Sequence, residues 1–320
     1  MNPIVMITGP TAAGKTALAL ALADRYPIRL INADSAQVYR GLNIGAAKLS
    51  PALQSRYPHR LMDIRDPEED YSVAAFVADA DREIETATQQ GLWPVLVGGT
   101  PLYLQSVLYG LDPLPEKDPE VRRNIARQAQ TVGWPELHAR LMTIDPMLAS
   151  RIRPTDAQRI QRALEIHVLT GQPPSELMHG NRIPRYRAFR VVITPADRAR
   201  LHARIAQRFD DMIDAGFIQE VESLMARAGL TAEHPAMKSV GYRQMWHWLA
   251  TGEGGFEEVK AQTLAATRQL AKRQLTALRK LSHALWYDPN HRNVADGIGR
   301  RVSEFMAKAM GANRASNEIN

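Results

Sequence analysis

Apolar and polar positions follow two different periods along the first third of the chain. Ile4-Val5-Met6-Ile7 is a continuous apolar run and predicts a buried strand over Ile4–Thr8. Ile28–Asn32 predicts a second strand, Arg60–Ile64 a short third one behind the loop through Gly41–Pro58, and Pro94–Val97 a fourth. Between them Thr16–Asp24 predicts a helix. Tyr71–Gln90 predicts a longer one, with Val73, Phe76, Val77, Ala80 and Ile84 at helical spacing. Strands alternating with helices predict an α/β fold: a parallel sheet flanked by helices, with ligands at the carboxyl ends of its strands.

The period changes after Leu111-Asp112-Pro113-Leu114-Pro115. Residues 119–179 read as helical, with a break at Gly171-Gln172-Pro173-Pro174. Strand character returns at Phe189–Ile193, two helical stretches follow over Ala196–Ala228 and Gly255–Ser282, and Ala284–Tyr287 is a last short apolar run. Beyond Asp288 the chain is polar, and Gly311–Asn320 is expected to fray. The expected organisation is a first core part over 1–116 and a helical, basic insertion domain over 117–188. A return to the core follows over 189–290, then a polar tail over 291–320.

The turn behind the first strand is Gly9-Pro10-Thr11-Ala12-Ala13-Gly14-Lys15-Thr16, which satisfies G-x-x-x-x-G-K-[ST] between a strand and a helix. Glycines let backbone N–H groups curl around phosphate oxygens, Lys15 adds a mobile positive charge, and the helix N-terminus adds partial charge. The Thr16 hydroxyl suits a Mg²⁺ bridging the same oxygens. The motif alone leaves open which phosphate compound binds.

Charge sharpens the picture once it is divided along the chain. Residues 1–116 hold 9 Lys and Arg against 13 Asp and Glu, residues 117–190 hold 13 against 7, and the remainder 18 against 14. In the middle segment 12 of the 13 cations are arginine, the side chain suited to bidentate phosphate contacts, so a polyanionic partner is expected. The chain has no cysteine, which excludes disulfides and thiolate sites and suits a cytoplasmic protein. No apolar stretch reaches the ~18–20 residues of a membrane span. The first strand begins too early to leave room for a signal peptide before it.

Other clusters stand where chemistry is expected. Asp34 ends the second strand in Ala33-Asp34-Ser35-Ala36-Gln37, where a carboxylate could bind magnesium, accept a proton, or cap the next turn. Gln37 is a two-faced hydrogen bonder of the kind that reads a base edge. The fourth strand ends in Gly98-Gly99-Thr100 rather than in a magnesium-binding aspartate, a role that Asp63 on the third strand could fill instead. Gln158-Arg159-Ile160-Gln161-Arg162 puts two arginines on one helix face, with Asp156 placed to pair with Arg159. Lys238-Ser239-Val240-Gly241-Tyr242-Arg243 combines cations, an aromatic and a glycine, and Arg268, Lys272, Arg273, Arg279 and Lys280 form another basic helix. The nine histidines show no metal-ligand spacing.

Seven motifs in order carry a resemblance. They are the loop Gly9–Thr16, Ala33–Tyr39, Gly98-Gly99-Thr100-Pro101-Leu102-Tyr103, Asp156-x-x-Arg159-x-x-Arg162-Ala163-Leu164-Glu165, Gly171-x-Pro173-x-Ser175, Val240-Gly241-Tyr242, and Ala271-Lys272-Arg273-Gln274. The set, spanning residues 3 to 288, resembles the bacterial tRNA dimethylallyltransferase (tRNA isopentenyltransferase) family. The resemblance implies transfer of a dimethylallyl group from dimethylallyl diphosphate to N6 of the adenosine 3′ of the tRNA anticodon. The loop Gly9, Pro10, Thr11, Ala12, Ala13, Gly14, Lys15 and Thr16 would then hold the diphosphate with Mg²⁺ on Thr16. Lys15, Thr100 and Arg122 (with Arg123 beside it) would stabilise the leaving group, and Asp34 would take the N6 proton. It further implies tRNA contacts at Asp34, Ser35, Ala36, Gln37, at Gln158, Arg159, Ile160, Gln161, Arg162, and at Lys238, Ser239, Val240, Gly241, Tyr242, Arg243. A monomer binding an anticodon stem-loop is expected. Ala13 replaces the family's usual serine, and Ala277 its usual tryptophan. Two other readings share the loop: an adenylate isopentenyltransferase acting on free AMP or ATP, and an ATP-dependent small-molecule kinase. The basic segments argue against the first, since a free nucleotide needs no such surface.

Overall fold

The computed structural model describes residues 1–178 and 183–317, with the side chains of 310–317 excepted. The first elements are β1 (Pro3–Thr8), α1 (Lys15–Ala23), β2 (Ile28–Asn32), α2 (Pro51–Arg56), β3 (His59–Arg60), α3 (Val73–Gln89), β4 (Trp93–Gly98) and α4 (Pro101–Tyr109). Five helices follow: α5 (Pro119–Val132), α6 (Trp134–Ile144), α7 (Pro146–Ala149), α8 (Ala157–Thr170) and α9 (Pro174–Leu177). The chain then forms β5 (Arg187–Ile193), α10 (Arg198–Asp214), α11 (Phe217–Met225), α12 (Tyr242–Thr251), α13 (Phe256–Leu278), β6 (Leu285–Tyr287) and α14 (Val294–Asn317). Two compact units result, one from Met1–Leu108 with Pro184–Asn320, the other from Tyr109–Ile183.

In the first unit all six strands run parallel in the order β3-β2-β4-β1-β5-β6. The apolar run of β1 is buried throughout because it lies between β4 and β5, with Val5 opposite Val95 on one side and Phe189 on the other. Val5, Ile7, Leu18, Leu22, Val95, Val97, Val191 and Ile193 form the core between sheet and helices. Among the described residues no helix is long and apolar enough to cross a membrane.

Three expectations for this unit need correction. The third strand is only His59–Arg60, because Leu61 (φ 63°) and Asp63 (φ 56°) turn the backbone left-handed, out of strand geometry. The helix expected over Ala196–Ala228 is two helices broken at Gly216, whose φ of 97° ends the first. The polar tail is mostly helix α14, with Ile298, Val302 and Met306 buried in the same core as β1. Their i, i+4, i+8 spacing was masked by the charged residues between them. The expected fraying of Gly311–Asn320 falls partly on residues 318–320, outside the described residues.

The second unit is helical, packed around Ile125, Leu137, Leu141, Ile160, Ala163 and Leu164. Asp118, Asp145 and Asp156 cap α5, α7 and α8 by accepting backbone N–H bonds. At its centre the fully buried Glu165 accepts from Arg122 Nη1 (3.1 Å), Arg162 Nη1 (2.8 Å) and the Asp118 N–H (2.9 Å). Glu165→Gln breaks this cluster while its arginines keep some solvent. A loss of about 1–3 kcal/mol is expected, read as faster amide exchange across α5 and α8 in the intact protein.

Candidate active site

The carboxyl ends of β1, β2 and β4 each supply part of one site. Past β1, a Cβ on Gly9 would lie 2.1 Å from the Ile193 carbonyl oxygen, so only glycine fits there. Ala12 (φ 61°) and Gly14 (φ 96°) are left-handed, the conformation that lets successive N–H groups face one anion. Lys15 is anchored rather than mobile: its Nζ donates to the Pro10 carbonyl at 2.9 Å. Burial pushes its pKa down to about 8, with Asp34 opposing the shift and Arg208 adding to it. The Thr11 N–H donates to Gln274 Oε1 at 2.9 Å, and Gln274 Nε2 donates to the Gly99 carbonyl at 2.7 Å. One buried side chain of α13 thereby clasps the loop to the end of β4.

At the end of β2, Asn32 shapes the backbone of Asp34: Oδ1 accepts its N–H at 3.0 Å, and Nδ2 donates to its carbonyl at 3.1 Å. Asp34 Oδ1 accepts the Ala36 N–H at 3.0 Å, so the carboxylate does cap the turn. Its Oδ2 makes no hydrogen bond among the described residues. Beyond β4, Thr100 Oγ1 accepts the Ser35 N–H at 3.1 Å. A Cβ on Gly98 would lie 2.1 Å from the Ala33 carbonyl, so glycine lets the ends of β2 and β4 meet. Asp63 is not free for a metal: it pairs with the buried Lys48 at 2.5 Å.

Two cavities meet at these residues. Lys15, Thr16, Gln37 and His59 line one of about 70 Å³. Thr100, Gln274, Ile205, Phe209, Met212 and Phe217 line a larger one of about 430 Å³. Thr11, Asp34, Ala46 and Arg208 border both. The Arg208 guanidinium makes no hydrogen bond or ion pair among the described residues, and burial lowers its pKa against the pull of Asp34. Sequence reasoning passed over Arg208, and it named Gln274 only as the end of a motif, with no role of its own. Arg208 is one of several arginines on α10, and Gln274 sits inside a run read as a basic face.

The sequence-predicted RNA contacts divide. Ser35, Ala36, Lys238, Ser239, Val240 and Gly241 line the larger cavity, and Arg243 is exposed. Tyr242 is a correction: it is fully buried, its hydroxyl held by Glu220, and offers no surface to RNA. In the helical unit Gln158 and Arg159 are exposed, while Ile160 is a second correction, a core residue with no accessible surface. Gln161 accepts from Arg122 Nη2 at 2.7 Å, and Arg162 donates to Glu165 and to the Pro115 carbonyl. Among the described residues no group of three His, Cys, Asp or Glu could hold a metal.

A parallel sheet with this loop at its central strand, and a carboxylate at the neighbouring strand end, defines a phosphate-loop α/β enzyme core. Residues 37–281 match the model of the IPP transferase family. The tRNA dimethylallyltransferase of Bordetella petrii is 49% identical over 309 residues, covering 95% of this chain and 98% of that protein. That of Nitrosococcus oceani is 47% identical, covering 96% and 98%. The chain belongs to the IPP transferase family. The solved full-length tRNA isopentenylpyrophosphate transferase of Bacillus halodurans superposes with a TM-score of 0.72 at 32% identity, covering 98% of this chain and 100% of that one. A eukaryotic dimethylallyltransferase acting on tRNA gives 0.77 at 25% identity, covering 96% and 80%.

Proposed function

We propose that this protein is a tRNA prenyltransferase. It moves the dimethylallyl group of dimethylallyl diphosphate to N6 of the adenosine 3′ of the anticodon and releases diphosphate. The observation that carries this reading is the position of Asp34, a carboxylate on the shared wall between the phosphate-loop cavity and the larger cavity. The C1–O bond of the allylic diphosphate breaks with positive charge spread over the allyl unit. The N6 lone pair forms the new N–C bond, and the N6 proton passes to Asp34.

Charge building on the departing diphosphate meets Lys15, Arg208 and those amides of the Gly9–Thr16 loop that are not already bonded. The Thr11 N–H is held by Gln274 and the Ala13 N–H by the Pro10 carbonyl. Thr100 and Arg122 are the further groups that family resemblance implies there. Ile205, Phe209, Met212 and Phe217 suit the hydrocarbon tail and exclude water from the allyl cation. Thr16 fits Mg²⁺, a hard cation that takes few protein oxygens and fills its shell with diphosphate and water. When bound, the ion would neutralise the diphosphate oxygens.

The arginine-rich helical unit and the exposed cations of α13 are the proposed grip on the anticodon stem-loop phosphates. A monomer acting in the cytoplasm is part of this proposal. Arg159→Ala should weaken tRNA binding and lower the salt slope by about one; an unchanged slope would remove Arg159 from the phosphate contacts.

Incubating the protein with Mg²⁺, dimethylallyl diphosphate and an unmodified tRNA, then digesting it for mass spectrometry, tests the reading. Prenyl addition at the adenosine 3′ of the anticodon is expected. Addition to free AMP or ATP alone would move the protein to the nucleotide-prenylating branch, and ATP consumption without prenylation would make it a kinase.

A further inference from the structure

Glu220, on α11, collects four hydrogen-bond donors on one carboxylate. Oε2 accepts the Asn43 and Ile44 N–H groups at 3.0 and 2.7 Å, and Oε1 accepts the Gly45 N–H at 3.1 Å and the Tyr242 hydroxyl at 2.6 Å. The Tyr242 oxygen in turn accepts the Ala46 N–H at 3.1 Å. Four consecutive backbone amides are thus pinned by two side chains from two different helices. Phe217 closes the arrangement, edge-on to Tyr242 at 5.1 Å, and a Cβ on Gly45 would lie 2.2 Å from its ring. Burial, reinforced by the Glu220 charge, pushes the Tyr242 phenol well above its usual pKa, so it stays a donor.

What this cluster holds is a wall of the site. Gly45 and Ala46 line the larger cavity, and Ala46 and Ala47 the smaller. The carbonyls of Ala46 and Ala47 receive Gln37 Nε2 at 3.0 and 3.4 Å. Two carbonyls accept only the amide nitrogen, so the orientation of Gln37 is set and its Oε1 is the atom left for a ligand. A side chain that could read a base edge with both faces is reduced to an acceptor. It would favour a base edge bearing an N–H donor and disfavour one bearing a carbonyl.

We propose that Glu220, assisted by Tyr242, is a positioning residue for the transfer. It fixes the Asn43–Ala47 turn and so presents the Gln37 side-chain carbonyl as the acceptor for an amino group on the entering base. The proposal rests on the prenyltransferase reading for the identity of the base. The turn is also closed by its own backbone, the Ala47 N–H donating to the Ile44 carbonyl at 2.8 Å and the Lys48 N–H to the Asn43 carbonyl at 3.0 Å. Lys48 Nζ ties its flanks by donating to the Tyr39 carbonyl and to Asn43 Oδ1. The amides of Asn43, Ile44, Gly45 and Ala46 depend on Glu220 and Tyr242.

Two variants test it in the full-length protein. Tyr242→Phe removes the hydroxyl and keeps the ring packing, and Glu220→Gln sets an amide N–H against backbone donors. In both, kcat/KM for tRNA is expected to fall about tenfold to a hundredfold from mispositioning, with the Kd for dimethylallyl diphosphate unchanged. Exchange protection should fall at the amides of Asn43, Ile44 and Gly45 in Glu220→Gln and at the Ala46 amide in Tyr242→Phe. The decisive readout is competition for binding between anticodon stem-loops carrying adenosine or inosine at the target position, because inosine has no N6 amine to prenylate. Wild type should prefer adenosine, and the variants should lose that preference. Unprotected amides with an unchanged preference and an unchanged kcat/KM would reduce Glu220 to a structural brace and overturn the proposal. A wild type that prenylates no tRNA would remove the functional reading instead, while the stem-loop preference, read by binding alone, still decides the role of Glu220.

Discussion

Asp34→Asn should lose transfer by about 10²–10⁴-fold in kcat, the usual range for removing a general base, while dimethylallyl diphosphate and tRNA still bind. Asparagine is the informative replacement because Asp34 Oδ1 already caps the Ala36 N–H. An asparagine oxygen keeps that cap and cannot take a proton, so the two roles of the carboxylate separate. Asp34→Ala should be equally inactive, with added loosening of the Ser35–Gln37 turn. Single-turnover transfer measured beside equilibrium binding decides the matter. Full activity in the asparagine variant would make Asp34 a cap and nothing more, and loss of tRNA binding would likewise end its assignment as proton acceptor.

Lys15→Ala is expected to weaken dimethylallyl diphosphate binding by about 10–100-fold, the worth of a charge-assisted hydrogen bond, and to slow transfer further. The wild-type pH profile carries the same information. With its pKa lowered to about 8 in the unliganded protein, the Lys15 ammonium is present below that pH and lost above it. A diphosphate prefers the charged form, so above pH 8 its binding must draw in a proton. Affinity should therefore be flat up to about pH 8 and then weaken as pH rises, by up to tenfold per unit. Arg208→Gln removes a repelling charge, raises the Lys15 pKa, and should shift the break to higher pH. Calorimetry in buffers of different ionisation enthalpy would read the proton uptake directly. A profile with no break between pH 7 and 9 would show that Lys15 remains charged throughout.

Local signals carried much of the reading from sequence. The loop, Asp34 and Thr100 were found because each sits within a few residues of an apolar run whose end marks the site. Arg208 and Gln274 reach the same site from α10 and α13; nothing near Arg208 in the chain points to a phosphate loop, and the motif that ends at Gln274 does not say what its side chain holds. Motif stretches also mix surface with core: Ile160 faces the helical core and Gln158 the solvent, though both belong to one short segment. Tyr242 lies beside the exposed Arg243 yet is wholly enclosed. The Arg60–Ile64 strand failed because two non-glycine residues adopt left-handed backbone, a choice made by the turn's surroundings.

The Gln274 clasp also bears on when during synthesis the phosphate site comes into being. Thr11 and Gln274 are 263 positions apart, and β1 must wait for β5 before both its edges are paired. A ribosome that has released only the first hundred residues has exposed the whole Gly9–Thr16 motif, without the side chain that seats it. Contacts of such separation form late and slowly. An N-terminal fragment ending before Phe256 would carry every letter of the motif and lack the finished loop.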